Sequence, residues 1–266
     1  MGRVTSTSAP ILVTGGTGTL GRAVVPQLTA RGFDVRVLSR SGAPGTVRGD
    51  LETGEGVEAA LEGVGAVLHL ATNLRDDTEL TRNLVRLAER SGRPRLIYQS
   101  IVGIDRIPLG YYGGKRASER LVAESRLRWA ILRATQFHDL VASLFAVQRF
   151  SPVVFAPSFS FQPIDAGDVA RRLVEVVETD VAGLVPDIGG PEVRTARDLA
   201  RAYLAARGSR RPTVPFRLPG TRFSAFASGA NLVPGEPYGR ITFEQYLAAV
   251  ADGASDAPHG RDGAAS

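Results

Sequence analysis

The sequence predicts an α/β protein whose core is a doubly wound parallel sheet. Short apolar runs of strand length alternate with helical segments over the first half of the chain, a pattern typical of parallel βαβ units. The first of these runs, at 11–13, ends directly in a glycine-rich turn that opens a helix. These two observations predict one sheet with helices on both faces.

Each element up to residue 135 follows from a local pattern. Apolar runs indicate strands, and apolar residues at helical spacing indicate helices. Gly32 stops the first helix, and Pro26 inside it should bend it or cost a hydrogen bond. Leu80, Leu84 and Leu87 share one face of the third helix. The expected strands are 11–13, 33–39, 46–50, 66–70, 95–100 and 129–133, and the expected helices are 19–31, 57–62, 77–90 and 111–124.

The second half of the chain has a less regular pattern. Most of the phenylalanines lie there, and we interpret this half as a small cap packed on the first half rather than as a separate domain. Its expected helices are 137–148, 166–178, 195–207 and 242–250, and its expected strands are 153–155 and 183–188.

Composition excludes several classes of function. The chain has 266 residues and no cysteine, which excludes disulfides, thiolate catalysis and zinc–thiolate sites. Its three histidines lie far apart, so we expect no metal site. The net charge of +5 comes from arginines scattered along the chain, which favours a solvated surface over nucleic-acid binding. No apolar run of about 18 residues and no signal-like N-terminus is present, so we expect a cytoplasmic protein without membrane association.

The glycine-rich turn has the spacing of a dinucleotide-binding loop. Gly15, Gly18 and Gly21 follow an apolar strand and open a helix, which is the context that gives this motif its meaning. Gly15 allows the tight turn, Gly18 lets the backbone approach a pyrophosphate, and Gly21 lets the helix pack on the sheet. The N-terminus of the helix then offers free N–H groups to the phosphates. The sequence therefore predicts a Rossmann-type sheet.

Later motifs resemble those of a known family. The run TGGTGTLG at 14–21 resembles the glycine loop of extended and atypical short-chain dehydrogenase/reductases. HLAT at 69–72, YYGGK at 111–115 and LRATQF at 132–137 resemble the NmrA-like, NAD(P)H-binding branch of that superfamily. The resemblance covers residues 10–250 and implies a Rossmann-type doubly wound parallel sheet with a small C-terminal substrate-binding cap.

The resemblance also implies a division of the chain and a cofactor site. We expect a flexible N-terminus at 1–9, a dinucleotide-binding Rossmann core at 10–135, a substrate-binding portion packed on the core at 136–251 and a disordered tail at 252–266. The residues expected to bind the cofactor are Gly15, Thr17, Gly18, Thr19, Leu20, Gly21, Ser39, Arg40, Asp50, Leu51, Ala71, Thr72, Lys115, Thr135 and Phe137.

The end of the second strand indicates which cofactor is bound. An NAD site usually has an acidic residue there to hold the ribose 2′-hydroxyl. This strand ends instead in Ser39-Arg40-Ser41, where Arg40 can hold a 2′-phosphate and Ser39 can donate a further hydrogen bond. The sequence therefore predicts NADP(H) rather than NAD(H).

Lys115 is the single lysine of the chain, beside 31 arginines. Tyr111 stands four residues before it, so the two share one face of a helix. In the family that the chain resembles, YxxxK supplies a tyrosine that exchanges a proton with the substrate. A nearby ammonium should lower the pKa of that tyrosine and also bind the nicotinamide ribose. Tyr112 is one turn from Lys115 as well, so either tyrosine could act.

Ser100 is a further candidate for the catalytic group. By the same resemblance it aligns with the first of two adjacent serines that extended members usually carry, and it either polarises the substrate carbonyl or caps the strand.

The residues after the sixth strand are candidates for the substrate pocket. Ligands of parallel sheets bind beyond the carboxyl ends of the strands, so Gln136, Phe137 and His138, together with Tyr112, are expected there. Five phenylalanines are candidates for an apolar lining, with plain core packing the stronger alternative for any single one of them: Phe145, Phe150, Phe155, Phe159 and Phe161.

The predicted function is reduction, by NADPH, of a carbonyl or quinone-like group on a small apolar or aromatic molecule, as in a ketoreductase or quinone reductase. Tyr111 would give the proton. We expect a monomer or homodimer. Two alternatives remain open at this point: a non-catalytic NADP(H)-sensing regulator, and an epimerase or dehydratase that retains its cofactor.

Overall fold

The central sheet has seven parallel strands in the order β3-β2-β1-β4-β5-β6-β9. The computed structural model describes residues 9–217 and 219–252. The predicted flexible N-terminus and C-terminal tail lie, apart from Ala9 and Asp252, outside the described residues. The strands are β1 (Ile11–Thr14), β2 (Val35–Ser39), β3 (Thr46–Arg48), β4 (Ala66–His69), β5 (Arg95–Ile101), β6 (Trp129–Ala134) and β9 (Gly183–Leu184).

Helices cover both faces of this sheet, because alternate strand residues point to opposite sides and are apolar on both. One face packs against α1 (Thr19–Ala30) and α6 (Ala166–Thr179), where Val24, Leu28 and Leu173 are fully buried. The other face packs against α2 (Val57–Leu61), α3 (Thr78–Arg90) and α4 (Gly110–Ala123). The doubly wound Rossmann-type fold predicted from the sequence is therefore confirmed.

The rest of the chain forms a smaller apolar layer beside the sheet. This layer has its own buried cluster, centred on the fully buried Phe145. Its elements are α5 (His138–Ala146), β7 (Val154–Pro157), β8 (Ser160–Phe161), β10 (Arg194–Thr195), α7 (Ala196–Ala205), β11 (Thr213–Phe216), α8 (Thr221–Ala227) and α9 (Phe243–Ala251). The strands pair as β7 with β11 and β8 with β10.

The predicted boundary at residue 135 needs a correction. Helix α6 and strand β9 fall within 136–251, yet α6 packs on α1 and β9 pairs with β6 at the edge of the central sheet. The predicted strand at 183–188 is short, since β9 covers only Gly183–Leu184 and one further bridge joins Ala134 to Ile188. Strands β8, β10 and β11 and helix α8 were not predicted, because elements this short show no clear periodicity.

Within the described residues no helix is long and apolar enough to cross a bilayer. Nor is any group of three histidine, aspartate or glutamate side chains placed there to hold a metal ion.

Candidate active site

The glycine loop leads from β1 into α1 and packs against Ala71, which follows β4. Gly15 has φ +70°, and a Cβ on it would lie 2.7 Å from the backbone nitrogen of Ala71, so only glycine fits this position. A Cβ on Gly21 would lie 2.3 Å from the carbonyl oxygen of Gly15, which explains how α1 packs so closely on the loop. Both glycines therefore have the structural roles expected of them.

Gly18 is different, because the packing of the described chain does not require a glycine there. A Cβ on Gly18 would have its nearest contact at 3.4 Å, which is tolerable, and its φ is an ordinary −77°. Gly18 precedes α1 without a side-chain cap, and Thr17, Gly18 and Thr19 are exposed. An uncapped helix N-terminus with a bare backbone in front of it is suited to a phosphate ligand. The loop thus fits the dinucleotide predicted from the sequence.

The carboxyl ends of the parallel strands β2 and β3 lie at the same edge of the sheet. Ser39 is buried and its Oγ lies 3.1 Å from that of Ser41, while Arg40 between them is exposed. Asp50 Oδ1 accepts a hydrogen bond from the backbone nitrogen of Glu52, and Leu51 is buried in the core. The one exposed charge in the segment 39–41 is therefore the guanidinium of Arg40.

Thr72, three residues beyond the last pair of β4, is held by Asp77. The hydroxyl of Thr72 donates to Asp77 Oδ1 at 2.9 Å, and the backbone nitrogen of Asn73 donates to the same oxygen at 2.9 Å. Asp77 stands at the N-cap position of α3, but within the described chain its carboxylate makes no capping bond to that helix. The side chain instead ties down the loop 72–77.

Lys115 forms an ion pair with Asp77 inside the protein. Their Nζ and Oδ2 atoms lie 3.1 Å apart, with 2% of the lysine side chain and none of the aspartate side chain exposed. The ammonium also donates to the carbonyl oxygen of Gln99 at 3.3 Å and lies 4.9 Å from the ring centre of Tyr98. Sequence patterns did not predict Asp77 as part of the site, although burial of a lysine requires a counter-charge.

Tyr111 lies at the exposed edge of this cluster. Its hydroxyl is 3.3 Å from that of Thr72, so α4 brings Tyr111 and Lys115 to the same loop, as their spacing predicts. Burial raises the pKa of Tyr111; the charge of Lys115 lowers it, and that of Asp77 raises it. Lys115 thus acts on this pKa in the predicted direction, but burial has the larger effect and Asp77 opposes the ammonium, so the pKa of Tyr111 lies above its ordinary value.

Gly114 explains how α4 comes so close to the loop. A Cβ there would lie 2.8 Å from Asp76 Oδ1 and 3.1 Å from Asp76 Cα. Gly113, by contrast, faces open space within the described residues. The helix begins at Gly110 and runs through both glycines.

Tyr112 points into a different environment. Its hydroxyl accepts a hydrogen bond from Gln136 Nε2 at 3.4 Å, and its ring meets that of Phe226 edge to face at 6.4 Å between centres. Ile104 and Ile107 complete this apolar cluster, against which Tyr111 also packs. Burial raises the pKa of Tyr112.

The hydroxyl of Ser100 is fully buried in β5. Among the described residues it has no hydrogen-bond partner. Its hydroxyl thus lies inside the protein, below the surface at which Tyr111 is found.

The residues after β6 separate into two groups. Thr135 is buried and donates to the carbonyl oxygen of Gln162, and Phe137 packs against the core of the sheet. Gln136 faces Tyr112, and Asn231 donates to its Oε1 at 3.4 Å. Asn231 is fully buried and was not found in the sequence analysis, since an isolated asparagine in a loop carries no pattern.

His138 contacts the C-terminal helix. Its Nε2 lies 2.9 Å from the carbonyl oxygen of Ile241, and its ring stacks on Tyr246 at 5.2 Å between centres. Burial lowers the pKa of His138, so it stands as a neutral ring in the interior. These contacts give His138 a structural environment apart from Tyr112 and Gln136.

The five candidate phenylalanines lie in different environments. Phe145 is part of the core beside Tyr203, whereas Phe150 is 87% exposed and Phe155 is 48% exposed. Phe159 and Phe161 do lie together, and Phe159 stacks on Phe226 at 4.7 Å between centres. Helix α8 therefore supplies the aromatic neighbour of Tyr112 that sequence patterns did not reveal.

Comparison with known proteins identifies the class that this fold and site define. Residues 15–180, well over half of the chain, match the NAD(P)H-binding family. The chain therefore belongs to this NAD(P)H-binding family, in agreement with the resemblance found in its motifs.

Three individual proteins illustrate what the chain is similar to. The chain is 31% identical to a (4-alkanoyl-5-oxo-2,5-dihydrofuran-3-yl)methyl phosphate reductase of Streptomyces griseus, over 71% of this chain and 70% of that protein. It is 28% identical to the photosystem II assembly factor Ycf39 of Synechocystis over 64% of this chain, and the match spans 59% of that relative's length. The NADPH-dependent quinone oxidoreductase QOR2 of Escherichia coli, solved with NADPH, shares the fold with a TM-score of 0.73 at 18% identity, covering 91% of this chain and 99% of QOR2.

Proposed function

We propose that this protein is an NADPH-dependent reductase acting on a carbonyl or quinone-like group of an apolar or aromatic small molecule, with Tyr111 as proton donor. One chain of contacts carries the proposal. The hydroxyl of Tyr111 meets Thr72, Thr72 follows Ala71, and Ala71 touches Gly15 of the glycine loop. A proton donor thus lies next to the loop that would hold the dinucleotide.

Each residue of the candidate site has its own role in the proposed reduction. When bound, NADPH would supply the hydride that the carbonyl carbon takes up, and the glycine loop with Arg40 would hold the cofactor. Tyr111 gives its hydroxyl proton to the carbonyl oxygen as the C=O π bond opens, and regains a proton from solvent at its partly exposed edge. Thr72 positions the phenol, and Lys115 anchors the helix that carries it.

The cofactor is expected to be NADP(H) because of Arg40. Its exposed guanidinium follows β2, and the segment 39–41 contains no carboxylate that would repel a 2′-phosphate. A guanidinium forms two parallel hydrogen bonds to a phosphate, which makes it the preferred partner.

Aromatic side chains beside Tyr111 support an apolar or aromatic substrate. Tyr112, Phe226 and Phe159 form a continuous row of ring contacts. The Streptomyces griseus relative is named as a reductase, which is consistent with this reaction class.

The test is NADPH consumption, followed by loss of nicotinamide absorbance, over a panel of quinones, aryl ketones and polycyclic ketones, with NADH in parallel. Turnover with NADPH on any of these compounds supports the proposal. Tight NADPH binding without turnover on the whole panel contradicts it and favours a second function.

That second function is cofactor sensing or assembly without chemistry. Two observations favour it: Lys115 is already paired with Asp77, and the hydroxyl of Ser100 is fully buried. The relative Ycf39 is named as an assembly factor rather than an enzyme.

A further inference from the structure

The buried pair of Asp77 and Lys115 sets the charge around Tyr111. Both charged groups are almost wholly removed from water, and their nearest atoms lie 3.1 Å apart. Opposite charges this close cancel much of each other's field at a third group. Tyr111 therefore stands beside a nearly neutral pair instead of a free ammonium.

Thr72 fixes the direction of the Tyr111 hydroxyl hydrogen. The single hydroxyl hydrogen of Thr72 is directed to Asp77 Oδ1 at 2.9 Å, so its oxygen can only accept from other groups. The backbone nitrogen of Leu74 donates to that oxygen at 3.0 Å, and the phenol of Tyr111 lies 3.3 Å from it. Tyr111 is thus the donor in this contact, which requires its protonated form.

Two ionisable rings that face this pair are neutral, whereas the exposed Asp76 beside Gly114 keeps its charge because its hydrogen bonds with Thr78 lower its pKa. Tyr98 of β5 faces the pair, and burial raises its pKa well above the usual range, so it remains a phenol. Burial, with the charge of Lys115, lowers the pKa of His69 to about 3, so its ring is uncharged at neutral pH. Within the described residues, Asp77 at the N-cap of α3 and Lys115 of α4 are therefore the two buried charges that act on Tyr111.

We propose that Asp77 is a positioning residue of the reaction, which acts through Lys115 to keep Tyr111 a neutral phenol and through Thr72 to hold the phenol in place, so that reduction persists into alkaline solution. The inference rests on the proposed function for its role in catalysis. Its electrostatic part concerns the chain alone and is measured without substrate.

The first experiment follows the ionisation of Tyr111 in the protein without cofactor. The ultraviolet absorbance of phenolate is titrated for the wild type and for Asp77→Asn, each corrected by the same protein carrying Tyr111→Phe. Removal of the carboxylate charge unmasks Lys115, so we expect Tyr111 in Asp77→Asn to ionise at lower pH than in the wild type. Glu79→Gln, an exposed carboxylate on the first turn of α3, is the matched control and should leave the titration unchanged.

Asp77→Asn leaves Lys115 buried without its partner and risks failure to fold. The comparison of Lys115→Gln with the double variant Asp77→Asn, Lys115→Gln then carries the same test, since only the aspartate charge differs. Tyr111 should ionise at lower pH in the double variant. An identical titration in both pairs overturns the proposal.

The second experiment measures the alkaline limb of the pH profile of kcat/KM for reduction. A shift of that limb to lower pH in Asp77→Asn, with no shift in Glu79→Gln, supports the role in catalysis. If Asp77→Asn shifts the ionisation of Tyr111 but not the alkaline limb of kcat/KM, the role of Asp77 in catalysis is overturned. The reductase activity itself then stands as a separate result. A shifted titration without turnover on any substrate removes the proposed function and retains Asp77 as the group that sets the charge at Tyr111.

Discussion

The hydroxyl oxygens of Tyr111 and Thr72 lie 3.3 Å apart, which couples the first turn of α4 to the loop after β4. The same loop is tied to Lys115 through Asp77. Proton donor, loop and lysine therefore form one unit that depends on how closely α4 approaches residues 72–77.

Gly114→Ala tests this close approach. The added Cβ would lie 3.1 Å from the backbone of Asp76, so either α4 or the loop must shift. We expect unfolding free energy to fall by about 1–3 kcal/mol, measured by denaturant titration, together with a severalfold loss of reduction rate. Gly113→Ala is the matched control, since that position opens to space and alanine favours a helix by up to about 1 kcal/mol. If the two variants have the same unfolding free energy and the same reduction rate, the close approach of α4 to the loop does not matter for function.

Arg40→Ala tests the choice of cofactor. Loss of a charged hydrogen bond to the 2′-phosphate costs about 1.5–3 kcal/mol, so NADPH should bind roughly 10- to 100-fold more weakly, while NADH binding stays the same. Calorimetry or fluorescence titration gives both constants, with Arg201→Ala on α7 as a control for a lost surface arginine. Equal weakening for both nucleotides would exclude a contact specific to the phosphate.

Ser100→Ala tests whether the buried serine takes part. Because its hydroxyl is fully buried without a partner in the described chain, its removal should leave kcat/KM within about twofold and should not lower stability. A large loss of activity in a protein of unchanged stability would show that Ser100 takes part in catalysis.

His69 predicts how stability depends on pH. Its two nitrogens contact the hydroxyls of Thr14 at 2.7 Å and Thr81 at 3.2 Å, and burial lowers its pKa to about 3. Below the unfolded value near 6.5, the unfolded chain binds a proton that the folded chain does not. Stability should therefore fall as pH falls through that window, by up to about 1.4 kcal/mol per pH unit from this residue.

The check is unfolding free energy of the wild type and of His69→Gln at several pH values just below neutrality. The variant should show the shallower slope. Parallel slopes would mean that His69 takes up its proton in the folded protein as readily as in the unfolded chain.

Sequence patterns predicted the sheet and the loop because these depend on local rules. The apolar strand before Gly15 and the glycine spacing after it define the first βα unit, and the spacing of Tyr111 and Lys115 places both on one helix face. The structure brings that face to Thr72, in the loop after β4.

Other parts of the site depend on contacts between distant segments. A buried lysine demands a counter-charge, but the chain has 27 acidic residues, and only the packing of α3 against α4 selects Asp77. The burial of Ser100 and the separation of Phe145 and Phe150 from the aromatic row likewise follow from packing that no short-range pattern encodes.

The measurement that most directly tests the central claim compares Tyr111→Phe with Tyr112→Phe in NADPH-dependent reduction, with NADPH affinity determined for both. Loss of the proton donor should lower kcat by about 10²-fold or more in Tyr111→Phe, with unchanged NADPH binding, whereas Tyr112→Phe should keep most of its activity. Turnover by Tyr111→Phe equal to that of the wild type would contradict the assignment of Tyr111 as the proton donor.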